Sequence, residues 1–265
     1  MSHPFGGTAW ALSHKGLTDV VRSLGISVAE IWTVLAVETP GDGYLPDRRP
    51  RILYERHFFH RLTQGKFSGD RNNQDISHSQ PGDYGPGGAS QYQRLDRAIA
   101  LHRSAALRST SWGVGQVMGD HFATVGFPSE EHMVEAMSRS EDEQLTAMGR
   151  FIASKKGLHR ALQTHDWVTF AKLYNGSNYK INQYDVKLEA KYKKYSEGEH
   201  PDLDIRAAQL YLTYLGFKPG AIDGIVGRAT LAAWAEFQKK RGLAHGGGID
   251  KDAVAVLRAA LPPVG

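Results

Sequence analysis

The chain has 265 residues, 32 basic against 28 acidic, a net charge of +4 and no cysteine. That length holds one large domain or a medium one plus a small one, and the missing cysteine excludes disulfide staples, thiolate metal sites and thiol nucleophiles together. With 41% hydrophobic and 23% charged residues the composition is globular rather than disordered, and a pI of about 9.1 favours nucleic acid, membrane surfaces or wall polymers without choosing among them.

Met1-Ser2-His3-Pro4-Phe5-Gly6-Gly7 carries neither a basic cluster nor an uninterrupted apolar core, so no cleavable signal peptide is expected. No stretch approaches the run of about 18 apolar residues that a spanning helix needs, and no stable membrane insertion is expected. Residues 16–38 are predicted helical, with Ser27-Val28-Ala29-Glu30 as a capping box ahead of Ile31, Val34 and Leu35; Pro40 and Gly41 stop the helix. The segment 41–90, rich in Gly, Pro, Asp and Asn, is expected to be irregular and to serve binding rather than connection. Amphipathic helices follow over 92–107, 132–151 and 167–173. The charged run 187–200 reads as the end of a helix and a short linker. The predicted division is therefore 1–196 for a large helical domain, 197–203 for a linker and 204–265 for a small domain.

In the small domain, helices are predicted over 205–215, 231–240 and 250–261, around a core of Ile205, Leu212, Leu215, Ile222, Trp234, Phe237, Leu243, Val254 and Leu257. Gly224 and Gly227 are expected to take positive φ in the turn between the first two, with Asp223 bonding turn amides and Thr230 capping the next helix. The run Gln209, Leu212, Gly216, Ile222-Asp223-Gly224-Ile225-Val226-Gly227-Arg228-Ala229-Thr230, Phe237-Gln238 and Gly242-Leu243 resembles the three-helix peptidoglycan-binding domain of cell-wall hydrolases. Ala208 departs from that pattern, standing where the family carries a large aliphatic. The resemblance implies a wall-binding surface along the exposed side of the 223–230 turn, with Trp234 and Phe237 in the core.

In the large domain, Ile31-Trp32-Thr33-Val34-Leu35-Ala36-Val37-Glu38 ends an apolar helix on a carboxylate. Burial and the negative end of the helix dipole both disfavour its charged form, which suits a general acid. Alone, Glu38 would read as an ordinary surface residue. It is accompanied by Pro46-Asp47-Arg48-Arg49-Pro50-Arg51-Ile52-Leu53-Tyr54-Glu55-Arg56-His57, by Ser111-Trp112-Gly113-Val114-Gly115-Gln116 and by Tyr174-Asn175-Gly176. Together these resemble the N-acetylmuramidase domain of phage endolysins, in the goose-type and lytic-transglycosylase-like branch of the lysozyme superfamily. The fold so implied is mainly α: a lysozyme-like catalytic domain plus the small three-helix domain.

That resemblance implies cleavage of the β-1,4 bond between N-acetylmuramic acid and N-acetylglucosamine, with Glu38 as general acid. Glu55 matches the second acidic position; it either orients water and balances oxocarbenium charge or pairs with Arg56 or Arg51. Asp42 and Asp47 are weaker candidates. Ser111, Gly113, Gln116, Tyr174 and Asn175 are the expected substrate-binding residues. Gly113 and Gly115 would let backbone approach the sugar, and Gln116 would bond an acetamido group or hold the loop. Trp112 either stacks on a sugar or packs inside. His57 and His60 lack a third ligand at metal-binding spacing, so neither metal nor cofactor is expected. The implied partner is the peptidoglycan glycan strand, met by a monomer that binds no nucleic acid. The protein would be made in the host cytoplasm and reach the wall by holin-dependent release. A lytic transglycosylase leaving 1,6-anhydro ends, and a non-catalytic wall binder, are the alternatives.

Overall fold

The computed structural model describes residues 5–38, 41–198, 200–244 and 246–263, the side chains of Glu38, Ser177 and Asn178 excepted. Helix α1 (His14–Leu24) starts where Ser13 Oγ accepts the Gly16 amide and ends at Gly25, whose φ of +61° turns its own amide back onto the last carbonyls. This left-handed cap divides the helix expected over 16–38: α2 (Val28–Glu38) departs at a bend of 105°. The capping box forms at its start, where Glu30 Oε2 accepts the Ser27 amide at 3.0 Å and the Ser27 hydroxyl. Ile31, Trp32, Val34 and Leu35 of α2 are buried, and the helix packs against α9 (Tyr184–Glu197). His165 Nε2 reaches Glu30 Oε1 at 2.8 Å.

Three short antiparallel strands, β1 (Ile52–Tyr54), β2 (Thr110–Trp112) and β3 (Val117–Met118), form a sheet in that order. Ile52 lies opposite Trp112, and Ser111 opposite Met118. Within the segment expected to be irregular, α3 (Arg56–Leu62) follows β1 directly. Helix α4 (Ser90–Arg108) is interrupted at His102, whose φ of −164° and ψ of 96° are not helical. The helix expected over 132–151 is two helices, α5 (Glu130–Arg139) and α6 (Glu141–Ser154). Ser140 between them is extended; its hydroxyl caps α6 at the Glu143 amide, and its backbone bridges to Trp10. Helices α7 (Lys156–Gln163) and α8 (Trp167–Asn175) complete this part together with α9.

The remaining helices are α10 (Leu203–Tyr214), α11 (Arg228–Arg241) and α12 (Lys251–Ala259). Leu212, Ile222, Trp234, Phe237 and Leu257 are buried among them, Trp234 and Phe237 stacked at 5.6 Å. Leu243, expected in this core, is 38% exposed, because Gly242 (φ +64°) ends α11 just before it. Ala208 is fully buried, so the small residue is accommodated inside the packing. Ala9, Ala11 and Tyr44, from the beginning of the chain and the loop after α2, belong to this same cluster. Tyr211 Oη accepts the Ala11 amide, and the Tyr214 hydroxyl donates to the Ala9 carbonyl.

Gln209 organises the turn before α11: its Oε1 accepts the amides of Asp223 and Gly224, while its Nε2 reaches Asp223 Oδ1, the Ile225 carbonyl and Thr230 Oγ1. Asp223 Oδ1 also accepts the Ile225 amide, as a turn-bonding aspartate should. Gly224 has a φ of +72°, and a Cβ there would come within 2.7 Å of the Asp202 carbonyl oxygen. Two expectations fail. Gly227 has a φ of −115° and is an extended N-cap, and the Thr230 hydroxyl donates to the Pro219 carbonyl at 3.0 Å rather than capping α11.

Candidate active site

Glu38 closes α2, whose apolar sequence and buried faces fix its axis. The Glu38 side chain, with Thr39 and Pro40, lies outside the described residues, so the raised pKa expected there carries no structural reading. The segment that follows is held on several sides. Asp42 is buried and accepts a two-pronged bond from Arg51, at 3.0 Å from Nε and 2.9 Å from Nη2, as well as the Tyr44 amide. Burial pushes the Asp42 carboxyl upward against the pull of Arg51. Its oxygens are spent on the arginine, which makes Asp42 a brace. Asp47 accepts Nε and Nη2 of Arg49 on its single Oδ2, and that guanidinium lies 4.1 Å from the Tyr92 ring centre.

The 113–116 loop abuts this segment. Gly113 donates to the Arg51 carbonyl at 2.8 Å, and Arg51 in turn donates to the Gly43 carbonyl. Gly113 has a φ of +70°, and a Cβ there would meet Gln144 Cδ at 2.4 Å; a Cβ on Gly115 would meet Met148 Cβ at 2.6 Å. The missing Cβ of each glycine therefore makes room for helix α6. Gln116 turns back on the loop, its Nε2 donating to the Gly113 carbonyl at 2.8 Å. Of its two expected uses the structure favours holding the loop. Ser111 is buried in β2, with its hydroxyl 3.9 Å from Met118 Sδ. Trp112 is fully buried, bonded through Nε1 to the Leu107 carbonyl and packed on Phe5. It is a core residue, not a sugar platform.

Tyr174, near the end of α8, donates its hydroxyl to the Gly115 carbonyl at 2.7 Å and stacks on Phe170 at 5.4 Å. Asn175 closes the same helix and is half-buried. The fold thus gathers the loop, Tyr174 and the segment after Glu38. Glu55 stands apart, four residues along from Arg51, or about 13 Å of extended chain. It is largely buried, with Oε2 3.2 Å from His57 Nδ1 and the Tyr84 hydroxyl bonded to it. Burial raises its pKa above the ordinary carboxylate range. The expected pairing with Arg56 or Arg51 is not formed, since Arg56 binds Asp83 and Arg51 binds Asp42.

Two residues escaped the sequence reading. Gln144 accepts the Val114 amide at 2.7 Å and donates to the Met137 carbonyl; Glu141 accepts the amides of Leu12 and Gly43, both at 2.8 Å. Both are buried on the face of α6 that also carries Leu145, Met148 and Ile152. Polar residues at buried helical positions were the available signal. Among the described residues no group of three histidine or carboxylate side chains is placed to hold a metal ion. A surface depression of about 580 Å³ between Trp10, Asp204, Lys251 and Arg258 includes nothing from α2, the 113–116 loop or α8.

The N-acetylmuramidase family model matches residues 27–196, and the model described as a putative peptidoglycan binding domain matches residues 201–257. Among solved structures, the endolysin of Burkholderia phage AP3 is 38% identical, with a TM-score of 0.65 over 74% of this chain and 72% of that one. No curated protein matches.

Proposed function

The chain belongs to the N-acetylmuramidase family and is a peptidoglycan hydrolase with a wall-binding module, and from that membership we propose that Glu38 is its general acid. Glu38 protonates the leaving oxygen of the β-1,4 bond between N-acetylmuramic acid and N-acetylglucosamine. The observation that supports this reading is that the 113–116 loop is bonded to Arg51, and through it to Gly43 in the segment that follows α2, and to Tyr174, which makes a braced backbone wall close in sequence to Glu38. Tyr174 and Asn175 line the substrate side; Ser111, Gly113 and Gln116 act by shaping the wall. The catalytic part is 1–196, the linker 197–203 and the wall-binding part 204–265. The enzyme works as a monomer on glycan strands, without nucleic acid, after release to the wall through a holin-type lesion. Mass spectrometry of digested sacculi tests the chemistry: hydrated reducing muramyl ends are expected. Anhydro-muramyl ends would replace the hydrolase reading by the lytic transglycosylase.

Glu55 is the proposed second carboxylate, and its burial supplies an independent check. With its folded pKa above the unfolded value, the native state holds the extra proton; this stabilises at low pH and is lost as pH rises through the folded pKa. Glu55→Gln is therefore expected to raise the neutral-pH melting temperature by roughly 2 °C, the equivalent of about 1 kcal/mol at this size, while slowing hydrolysis. A stabilised variant with full activity would leave Glu55 no part in the chemistry.

Wall contact is proposed for the turn of the small domain, where Ile225 and Val226 are 57% and 43% exposed beside the Gln209-braced backbone. Ile225→Asp is expected to weaken sacculus binding about tenfold, equal to about 1.4 kcal/mol, in pelleting assays. Unchanged pelleting would move the contact elsewhere.

A further inference from the structure

The wall-binding part does more than hang from the catalytic part. Arg206 on α10 is 2% exposed at its side chain and Glu141 on α6 is 0% exposed, with Nη1–Oε2 at 2.5 Å and Nη2–Oε1 at 2.8 Å. The same guanidinium donates to the Gly41 carbonyl, from Nε at 3.1 Å and from Nη2 at 2.6 Å. Glu141 meanwhile accepts the Gly43 amide at 2.8 Å. The segment 41–43 is thus gripped at one end by the arginine and at the other by the arginine's own counter-ion. Gly41 has a φ of +112°, and a Cβ there would come within 2.7 Å of the Ile222 carbonyl oxygen, so the module's turn lies directly against it. The grip continues through the Gly43 carbonyl to the Arg51 amide and through the Arg51 carbonyl to the Gly113 amide.

We infer that Arg206 of the wall-binding module is a positioning residue for hydrolysis, fixing the segment 41–43 and through it the end of α2 that carries Glu38. The inference rests on the assignment of Glu38 as the acid. Apolar packing could join two units as firmly as a buried ion pair, since desolvating both charges offsets much of their attraction. What the charges add is direction: the guanidinium fork and the carboxylate set where two backbone groups lie. A 1 Å displacement of an acid relative to its leaving oxygen is enough to slow transfer greatly.

Tethering raises local concentration only at an insoluble wall, so a soluble substrate separates positioning from tethering. The test compares full-length Arg206→Lys and Arg206→Met with Phe237→Leu, which loosens the same module without touching 41–43, on solubilised uncrosslinked glycan strands. Arg206→Lys keeps the charge opposite Glu141 but cannot span both Glu141 and Gly41. It is expected to melt closer to the parent than Arg206→Met does, yet to lose about tenfold or more in kcat with KM within about twofold. Phe237→Leu is expected to keep kcat within about twofold. Native near-UV circular dichroism with parental kcat in both Arg206 variants would overturn the inference, as would an equal fall in Phe237→Leu. Glu38→Gln measured alongside keeps the two readings distinct. Full activity in that variant removes the acid assignment, whereas a selective kcat loss in Arg206→Lys still ties the module to the segment.

Discussion

Glu38→Gln is expected to release muropeptides from purified sacculi about 10³-fold more slowly than the parent while pelleting with them equally well. Glutamine keeps the size of the side chain but has no acidic proton to give the departing sugar oxygen. A general acid works only in its protonated form. The rate should accordingly fall as pH rises through the pKa of Glu38, and the residual rate of the variant should lack that alkaline limb. A loss smaller than about tenfold would shift the acid role to another carboxyl. Glu55, whose pKa burial has raised, is the first to examine.

Glu141→Ala is expected to lower stability by about 3–5 kcal/mol, because it strands the Arg206 charge in a dry site. In a chain of this size that corresponds to a fall of about 10 °C in the melting midpoint by calorimetry. The pair differs from an isolated buried ion pair in one respect. Glu141 also satisfies the amides of Leu12 and Gly43, and Arg206 satisfies the Gly41 carbonyl. Replacing both residues with methionine should therefore remain destabilising by about 1–3 kcal/mol, since buried backbone groups lose their partners even when no charge is left alone. Full recovery in the double variant would show that the backbone bonds contribute little. Burial acts to raise the Glu141 pKa, but the Arg206 charge and the bonds from Arg206, Gly43 and Leu12 together bring it below the ordinary range. Its stabilisation is present above the unfolded carboxylate pKa and disappears as pH falls through the lower folded value. As pH falls Glu55 should therefore take up its proton before the seam loosens.

The legible parts of the sequence were those written in local chemistry. The Ser27–Glu30 capping box, the apolar run of α2 and the glycine-bounded turn of the small domain each depend on neighbours within a few residues. The two helix breaks, at Gly25 and Ser140, were hidden because apolar periodicity continues across them while one residue's dihedral angles redirect the chain. Strands of two or three residues are too short to show alternation, so the β1–β3 sheet left no pattern. At the site, sequence order brought Glu38, the 113–116 loop and Tyr174 to attention. It could not tell that Gly113 and Gly115 make room for Gln144 and Met148, nor that Asp42 is occupied by Arg51. Those facts depend on which distant side chain arrives. Glu141 and Arg206 are 65 positions apart, and no local rule pairs them.

The seam also bears on how freely such lysins can exchange parts. Beyond the Arg206 pair, Arg258 lies 3.7 Å over the Trp10 ring, and Arg48 bonds the carbonyls of Pro262 and Thr8. A wall-targeting unit transplanted from another enzyme would have to bring an arginine at the place of Arg206 and leave clearance opposite Gly41. Without them the recipient would retain an unmatched carboxylate at Glu141 and an unsupported backbone at Gly43, whatever the affinity of the graft for its polymer. Successful chimaeras should therefore be selected for fit at this joint first and for host range second.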